Sequence, residues 1–241
     1  ETSGALPIYW VGCSMGAAVA CRAAQIRPGC GVSGMVMLAP MISLDKVAQK
    51  SVLGPIRNKH LAPIGGLLSF LVPTLPLIAK SDSVLAQQID KEFRNDVTNY
   101  TGSVRVRVAH HFNQTCSAFT AAAGPKTLER VSCPAMLMIH ATADTMTEPR
   151  GSEQLFERAA CARKTLVLIS GPDGQPGASK TYAGGKASDG LAAGQTAMAA
   201  LHGLNMWHSI TTEPGSEKVS SAVAEWICLE AKIASGAPAE A

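Results

Sequence analysis

Apolar residues in this chain fall into short unbroken runs separated by polar or small-residue stretches. Ile8 to Val11, Gly34 to Met41 (GMVMLAPM), Pro134 to His140 (PAMLMIH) and Lys164 to Ser170 (KTLVLIS) are four such runs. Runs of this length, without a polar residue at every second position, suit strands buried on both faces of a parallel sheet. Between the first two runs, Ala17, Ala18, Ala20, Ala23 and Ala24 favour a helix that reaches about Gln25 and is closed by Pro28 and Gly29. The order β-α-β implies a right-handed crossover. Gly151 to Ala160 reads as a further helix with Leu155 and Phe156 on its inner face. Gly171 to about His202 is rich in Gly, Ala, Ser and Lys, and is expected to be a flexible insert. Ser216 is expected to cap a last helix that carries Val219, Val223, Trp226 and Ile227 on one face. From Ser235 the tail is expected to be disordered.

The stretch from 42 to 128 has a different character. Val47 to Leu53 suggests a short helix. Leu61 to Ala79 (LAPIGGLLSFLVPTLPLIA) has no charged residue, but Pro63, Pro73 and Pro76 with Gly65 and Gly66 argue against a transmembrane span. Inside a catalytic domain such a stretch suits a cap that lines an apolar pocket or touches lipid, and a buried connection is the alternative. Leu67, Leu68, Phe70, Leu71 and Leu75 are the candidate substrate-binding residues in it. Lys80 to Val104 is polar, as the solvated face of the same cap. Arg105 to Thr127 carries apolar residues at helical spacing and is expected to return the chain to the sheet. The expected organisation is therefore a core piece over 1–41, a cap over 42–128, and the rest of the core over 129–241, with the insert at 171–202 and the tail at 235–241.

Composition narrows the function. The chain has 241 residues, 46% apolar and 16% charged, which is enough for one globular core. A formal charge of +3, with Lys and Arg scattered, forms no basic stripe, so nucleic acid is not expected as a partner. The seven cysteines (Cys13, Cys21, Cys30, Cys116, Cys133, Cys161, Cys228) are odd in number and form no C-x-x-C pair. That argues against a disulfide framework or a zinc site and fits an intracellular, reducing compartment. No metal site is expected. The oligomeric state is not readable.

The chemistry centres on Gly12, Ser14 and Gly16, a G-x-S-x-G turn between the first apolar run and the alanine-rich helix. Such a strand–turn–helix forces the central residue into a strained conformation and needs small neighbours. It presents the Ser14 hydroxyl at a helix N-terminus, where negative charge is stabilised. This is the nucleophile elbow of an α/β-hydrolase, and an ordinary glycine-serine turn is the alternative. Serine needs a general base and a carboxylate that orients it, in the chain order Ser, Asp or Glu, His. Asp144 follows the third strand, and a turn or helix-capping role is its alternative. Asp173 and Asp189 lie in the glycine-rich insert. His208 follows the insert, between Met206-Trp207 and a helix start, with His202 as its competitor. His60, His110 and His111 lie in the cap. His140 ends a strand and reads as buried or hydrogen-bonded. The Met15 backbone N–H is the expected oxyanion donor.

GCSMG, MLAPM, HATADTMTEPRGSEQLFERAA and NMWHSITTEPGSEKV together resemble the monoacylglycerol lipase group of serine hydrolases. The plant-type branch, which includes lysophospholipases and caffeoylshikimate esterase, is the most similar. The resemblance covers roughly Leu6 to Ser170 and Gly203 to Trp226, and the cap more loosely. It implies an α/β-hydrolase fold, here the C-terminal portion of a mostly parallel sheet flanked by helices, with an inserted helical cap. It implies hydrolysis of monoacylglycerols or similar small lipid esters, no cofactor, and transient membrane-surface contact through the cap, in the cytoplasm or at a membrane periphery. It matches the family's nucleophile to Ser14, its acid to Asp144 and its base to His208. The 171–202 insert is longer than the family's link, and Cys13 stands where members often carry His or Glu. An α/β-hydrolase normally has several strands before its elbow, so the chain is expected to be a fragment lacking them, with a second oxyanion donor outside it. Other readings are an esterase on a soluble phenylpropanoid-type ester, an acyltransferase, and a catalytically silent ligand-binding relative.

Overall fold

A computed structural model describes residues 6–29, 31–49, 51–53, 56–77, 91, 94–98, 100, 102–170, 180–185 and 198–235. The chain begins with strand β1 (Tyr9–Cys13), helix α1 (Met15–Ile26) and strand β2 (Gly34–Leu38). β1 and β2 are parallel, with Tyr9 opposite Gly34 and Cys13 opposite Leu38. β2 stops short of the expected Met41 because Ala39 takes a φ of 42°, which ends the ladder.

The cap stretch follows. Helix α2 (Asp45–Gln49) and strand β3 (Ser51–Leu53) occupy the segment where one helix was expected. The helix gives way there because Ser51–Leu53, with the β-branched Val52 at its centre, finds backbone partners in Ile56–Arg57. Strand β4 (Ile56–Arg57) pairs with β3, and helix α3 (Asn58–Leu71) comes next. Strands β5 (Pro76–Leu77) and β6 (Val104–Arg105) form a second short ribbon, and helix α4 (Val106–Thr120) returns the chain to the core. Among the described residues no helix is long and apolar enough to cross a membrane.

Strand β7 (Ala135–Ala141), helix α5 (Pro149–Arg158) and strand β8 (Arg163–Ile169) form a second β-α-β unit. β7 lies between β2 and β8 and is parallel to both. Strand β9 (Lys180–Gly185) pairs antiparallel to β8, and helix α6 (Ser216–Ser235) closes the chain. The sheet order is β1-β2-β7-β8-β9. β9 corrects the reading of 171–202 as a flexible insert throughout. A strand on a sheet edge is held by backbone hydrogen bonds, so Lys180–Gly185 needs few large side chains. The rest of that insert up to residue 197, and the tail from 236, lie outside the described residues. Gly215, not Ser216, supplies the cap of α6: its carbonyl accepts the N–H groups of Lys218 and Val219.

β2, β7 and the C-terminal half of β8 are buried on both faces, with successive residues serving opposite layers. β1, expected from its apolar run to be buried, lies at the edge of the described sheet with Val11 55% exposed. Met35, Met37, Met136, Met138, Leu166 and Leu168 pack with Ala17, Ala18, Cys21 and Ala24 of α1, Phe119 of α4 and Leu155 of α5. Val36, Leu38, Leu137, Ile139, Val167 and Ile169 pack instead with Met198, Leu201 and Met206 and with Val219, Ala222 and Trp226 of α6. The residues at 198–206 extend the second layer and place the segment after them beside the C-terminal ends of the parallel strands. In open α/β sheets that edge is where sites form.

Candidate active site

β1 ends at Cys13 and α1 starts at Met15, so one residue must reverse the chain. Ser14 does this at φ 50° and ψ −114°. For a residue with a Cβ this conformation costs about 1–3 kcal/mol, and neighbouring backbone holds it. Ser14 N–H donates to the Leu38 carbonyl at 2.8 Å, and its own carbonyl accepts from Ala17 at 3.2 Å and Met41 at 3.1 Å. Gly12 is required by space: a Cβ there would meet the Ala17 nitrogen at 2.6 Å and the Gly16 carbonyl carbon at 2.7 Å. Gly16 is different, since a Cβ would find no atom within 4 Å among the described residues. The expected need for small neighbours therefore holds on one side of Ser14 only. Met15 is the first helical residue, so its N–H has no intrahelical partner.

Asp144 follows β7 and is fully buried. One carboxylate oxygen, Oδ1, accepts the backbone N–H groups of Met146 at 2.7 Å and Thr147 at 2.9 Å. The other, Oδ2, accepts from Thr147 Oγ1 at 2.7 Å, His208 Nδ1 at 2.7 Å and His140 Nε2 at 3.1 Å. The turn role and the imidazole-binding role, alternatives in the sequence, are thus both filled by the same side chain on separate oxygens. Burial alone pushes its pKa up. The hydrogen bonds from His140 and His208, with the charges of those rings, outweigh burial and hold the carboxyl well below the usual carboxylate range. A carboxylate only accepts, so each histidine presents an N–H to it, which leaves Nε2 of His208 as the basic nitrogen of the neutral ring. His140, 0% exposed, has its Nδ1 at 2.7 Å from the Ser152 hydroxyl, which donates to it.

The His208 segment is fastened from several sides. Met206 N–H donates to the Ser170 carbonyl at the end of β8. The Trp207 indole N–H donates to Thr145 Oγ1 at 3.0 Å. Glu213, 1% exposed, accepts the N–H of Trp207 at 2.6 Å and of Ser209 at 2.5 Å, one on each carboxylate oxygen. Burial pushes the pKa of the Cys13 thiol, just before Ser14, up. Thr147 Oγ1 also reaches the Ala39 carbonyl beyond β2 at 3.3 Å. Ser14, Asp144 and His208 therefore lie at one edge of the sheet, joined through Leu38, Ala39 and Thr147.

His202, the competing histidine, is elsewhere: its Nε2 lies 2.8 Å from Thr181 Oγ1 of β9. The five cap residues sit on α3 and just beyond it. Leu67, Phe70, Leu71 and Leu75 are exposed, Phe70 by 77%, and Leu68 is half-buried. Sequence reasoning did not single out Thr147, Ser152 or Glu213. Thr147 sits at a turn spacing from Asp144 and Glu213 follows His208 within one short loop, and those local spacings were the only signal. An orienting carboxylate, a histidine with a free basic nitrogen, and a serine at a helix N-terminus can together activate the serine hydroxyl and stabilise an anion beside it.

No curated protein matches the chain. Among solved structures it is similar to the monoacylglycerol lipase of Paleococcus ferrophilus, with TM-score 0.60 and 19% identity over 93% of this chain and 69% of that one. It is also similar to a soluble variant of monoglyceride lipase from Saccharomyces cerevisiae, solved with a substrate analogue, with TM-score 0.59 and 16% identity over 97% and 64%. The chain thus spans about two thirds of those proteins. At these identities the likeness is one of fold: a mostly parallel sheet flanked by helices, the α/β-hydrolase architecture. Residues 1–172 match the family described as serine aminopeptidase, S33 (Hydrolase_4), and the chain belongs to that family.

Proposed function

We propose that the protein is a serine-dependent carboxylic ester hydrolase that cleaves monoacylglycerol, or a lysophospholipid, releasing a free fatty acid. Ser14 is the nucleophile. Nε2 of His208 takes its proton as Oγ attacks the ester carbonyl, and the imidazolium is stabilised by Asp144 at 2.7 Å. The Met15 N–H, at the start of α1, donates to the oxyanion. The proton then passes from His208 to the leaving alcohol, and water activated by the same nitrogen releases the acyl group from Ser14. The observation that carries this reading is a strained serine, φ 50°, on the same sheet edge as a buried Asp144–His208 pair. Strain of this kind persists only where surrounding structure over-determines it.

A lipid substrate is supported by the exposed apolar residues Leu67, Phe70, Leu71 and Leu75. Such a surface suits transient contact with a membrane in a reducing compartment and delivery of a single-chain lipid. The test is labelling by a fluorophosphonate with the modified peptide mapped, together with hydrolysis of monoacylglycerols and of an ester series from short to long acyl chains. Labelling at Ser14 with rates rising toward long chains is the expected result. Rates flat along the series would refute the lipid assignment. Labelling elsewhere, or none in a chain that hydrolyses esters, would refute the nucleophile.

A further inference from the structure

At the edge of the sheet opposite Ser14, two cysteines face each other across the start of β7 and β8. The ladder pairs each β7 residue with the one 28 positions later, Ala135 with Arg163 through Ala141 with Ile169. Continued two residues back, the same register sets Cys133 opposite Cys161. The backbone does continue this way: Ala162 N–H donates to the Cys133 carbonyl at 3.3 Å and Ala160 N–H to the Val131 carbonyl at 2.8 Å. Adjacent strands lie about 4.7–4.9 Å apart, inside the roughly 4.4–6.8 Å that a disulfide allows between Cα atoms. The side chains agree with the backbone, since the two Sγ atoms are 3.0 Å apart.

We propose that Cys133 and Cys161 are a redox-active dithiol that closes to a disulfide on exposure to a peroxide. The pair is accessible, though narrowly. Cys133 is 7% and Cys161 8% exposed, and both line a cavity of about 380 Å³ with Gly29, Val32 and Pro134. The two sulfurs are chemically unequal. The hydrogen bond between the two thiols, with the Lys164 ammonium nearby, draws the Cys161 pKa below the ordinary thiol value, against the effect of burial. The same hydrogen bond, and burial, push Cys133 up. In this proposal Cys161, the thiol with the Lys164 ammonium beside it, is the attacking sulfur and Cys133 the resolving one. Other described cysteines lack this arrangement: burial pushes Cys21 and Cys116 up to about 12, and Cys228 is a single exposed thiol.

The chemistry balances with hydrogen peroxide as the two-electron oxidant. The Cys161 sulfur attacks one peroxide oxygen, the O–O bond breaks, and the departing hydroxide takes the thiol proton as water, leaving a sulfenic acid. The Cys133 sulfur attacks that sulfur, the S–S bond forms, and the sulfenic hydroxyl leaves with the Cys133 proton as a second water. A single reversible bridge of this kind is compatible with a cysteine set that otherwise forms no disulfide framework. It does not depend on the ester-hydrolase reading.

The experiment treats the full chain with hydrogen peroxide, blocks remaining thiols, and maps peptides with and without dithiothreitol. The expected result is a loss of about 2 Da in the intact protein before blocking, a Cys133–Cys161 linked peptide, and full recovery on reduction. In Cys133→Ser the sulfenic acid persists on Cys161 and is captured by dimedone. In Cys161→Ser, Cys133 stays reduced at the same peroxide dose. Oxidation confined to Cys228, Cys13 or other thiols, or a Cys161 that over-oxidises in the wild-type chain without linking to Cys133, would overturn the proposal.

Discussion

Replacing Glu213 is expected to disable the site while sparing most of the fold. Its carboxylate, buried at 1% exposure, accepts the N–H on each side of His208 at 2.6 and 2.5 Å. Glu213→Ala leaves both of those donors without acceptors in a buried segment. Each orphaned donor costs about 1–3 kcal/mol, so the pair costs about 2–6 kcal/mol before relaxation. The loss is expected to fall on the loop rather than the sheet. The loop is otherwise held by hydrogen bonds to Ser170, Thr145 and Asp144 and by the packing of Met206 and Ile210, whereas the strands keep both packed cores. A loop that shifts by about 1 Å can cost about 100-fold in rate. We expect kcat on a chromogenic ester to fall about 10- to 100-fold, with KM changed less than about threefold. Glu213→Gln keeps one acceptor and sets an amide N–H against the second donor, so it is expected to fall between the two. Steady-state kinetics with a thermal melt of each variant gives the answer. A Glu213→Ala protein with kcat within twofold of the parent, or one whose melt collapses while the folded fraction retains full kcat, would refute a local clamp on His208.

Other outcomes follow from the same site. Ser14→Gly is expected to raise stability by about 1–2 kcal/mol by relieving the φ 50° strain, and to abolish turnover; a denaturant titration beside an ester assay tests both. Gly12→Ala forces a Cβ to within 2.7 Å of α1 backbone and is expected to destabilise by about 2 kcal/mol or more, while Gly16→Ala, with open space, is expected to stay within about 0.5 kcal/mol; equal effects in urea unfolding would contradict the packing argument. Asp144 has its carboxyl pKa held below the ordinary aspartate value of about 3.9, so its stabilising contribution is complete above that value and is lost as pH falls through the folded-state pKa. The stability gap between the parent chain and Asp144→Asn is therefore expected to be constant at neutral pH and to shrink below about pH 4, and a gap that widens on acidification would reverse the assignment.

Much of this was legible in sequence because it depends on near neighbours along the chain. The buried strands β2, β7 and β8 show as unbroken apolar runs, and β1 carries the same signature although it lies at the edge of the described sheet with Val11 exposed. The Ser14 turn shows as a Gly12 that must lie under α1 and a helix that begins at once. Asp144 and His208 were legible through their order after particular strands, a topological rule rather than a contact. Tertiary structure decided what no local spacing encodes. The stretch 171–202 carries too few apolar residues to suggest order, yet Lys180–Gly185 pairs with β8 because a sheet edge supplies backbone partners to almost any side chains. His140 and Thr147 converge on the Asp144 carboxylate, and Glu213 fastens the loop that brings His208 to it, because burial obliges every polar atom there to find a partner. Cys133 and Cys161 were two thiols in an odd-numbered set until strand register placed them side by side. The sequence by itself determined the periodicities, the strained turn and the order of the chemical groups. Only the folded sheet, whose register fixes which distant residues meet, decided which of those groups touch.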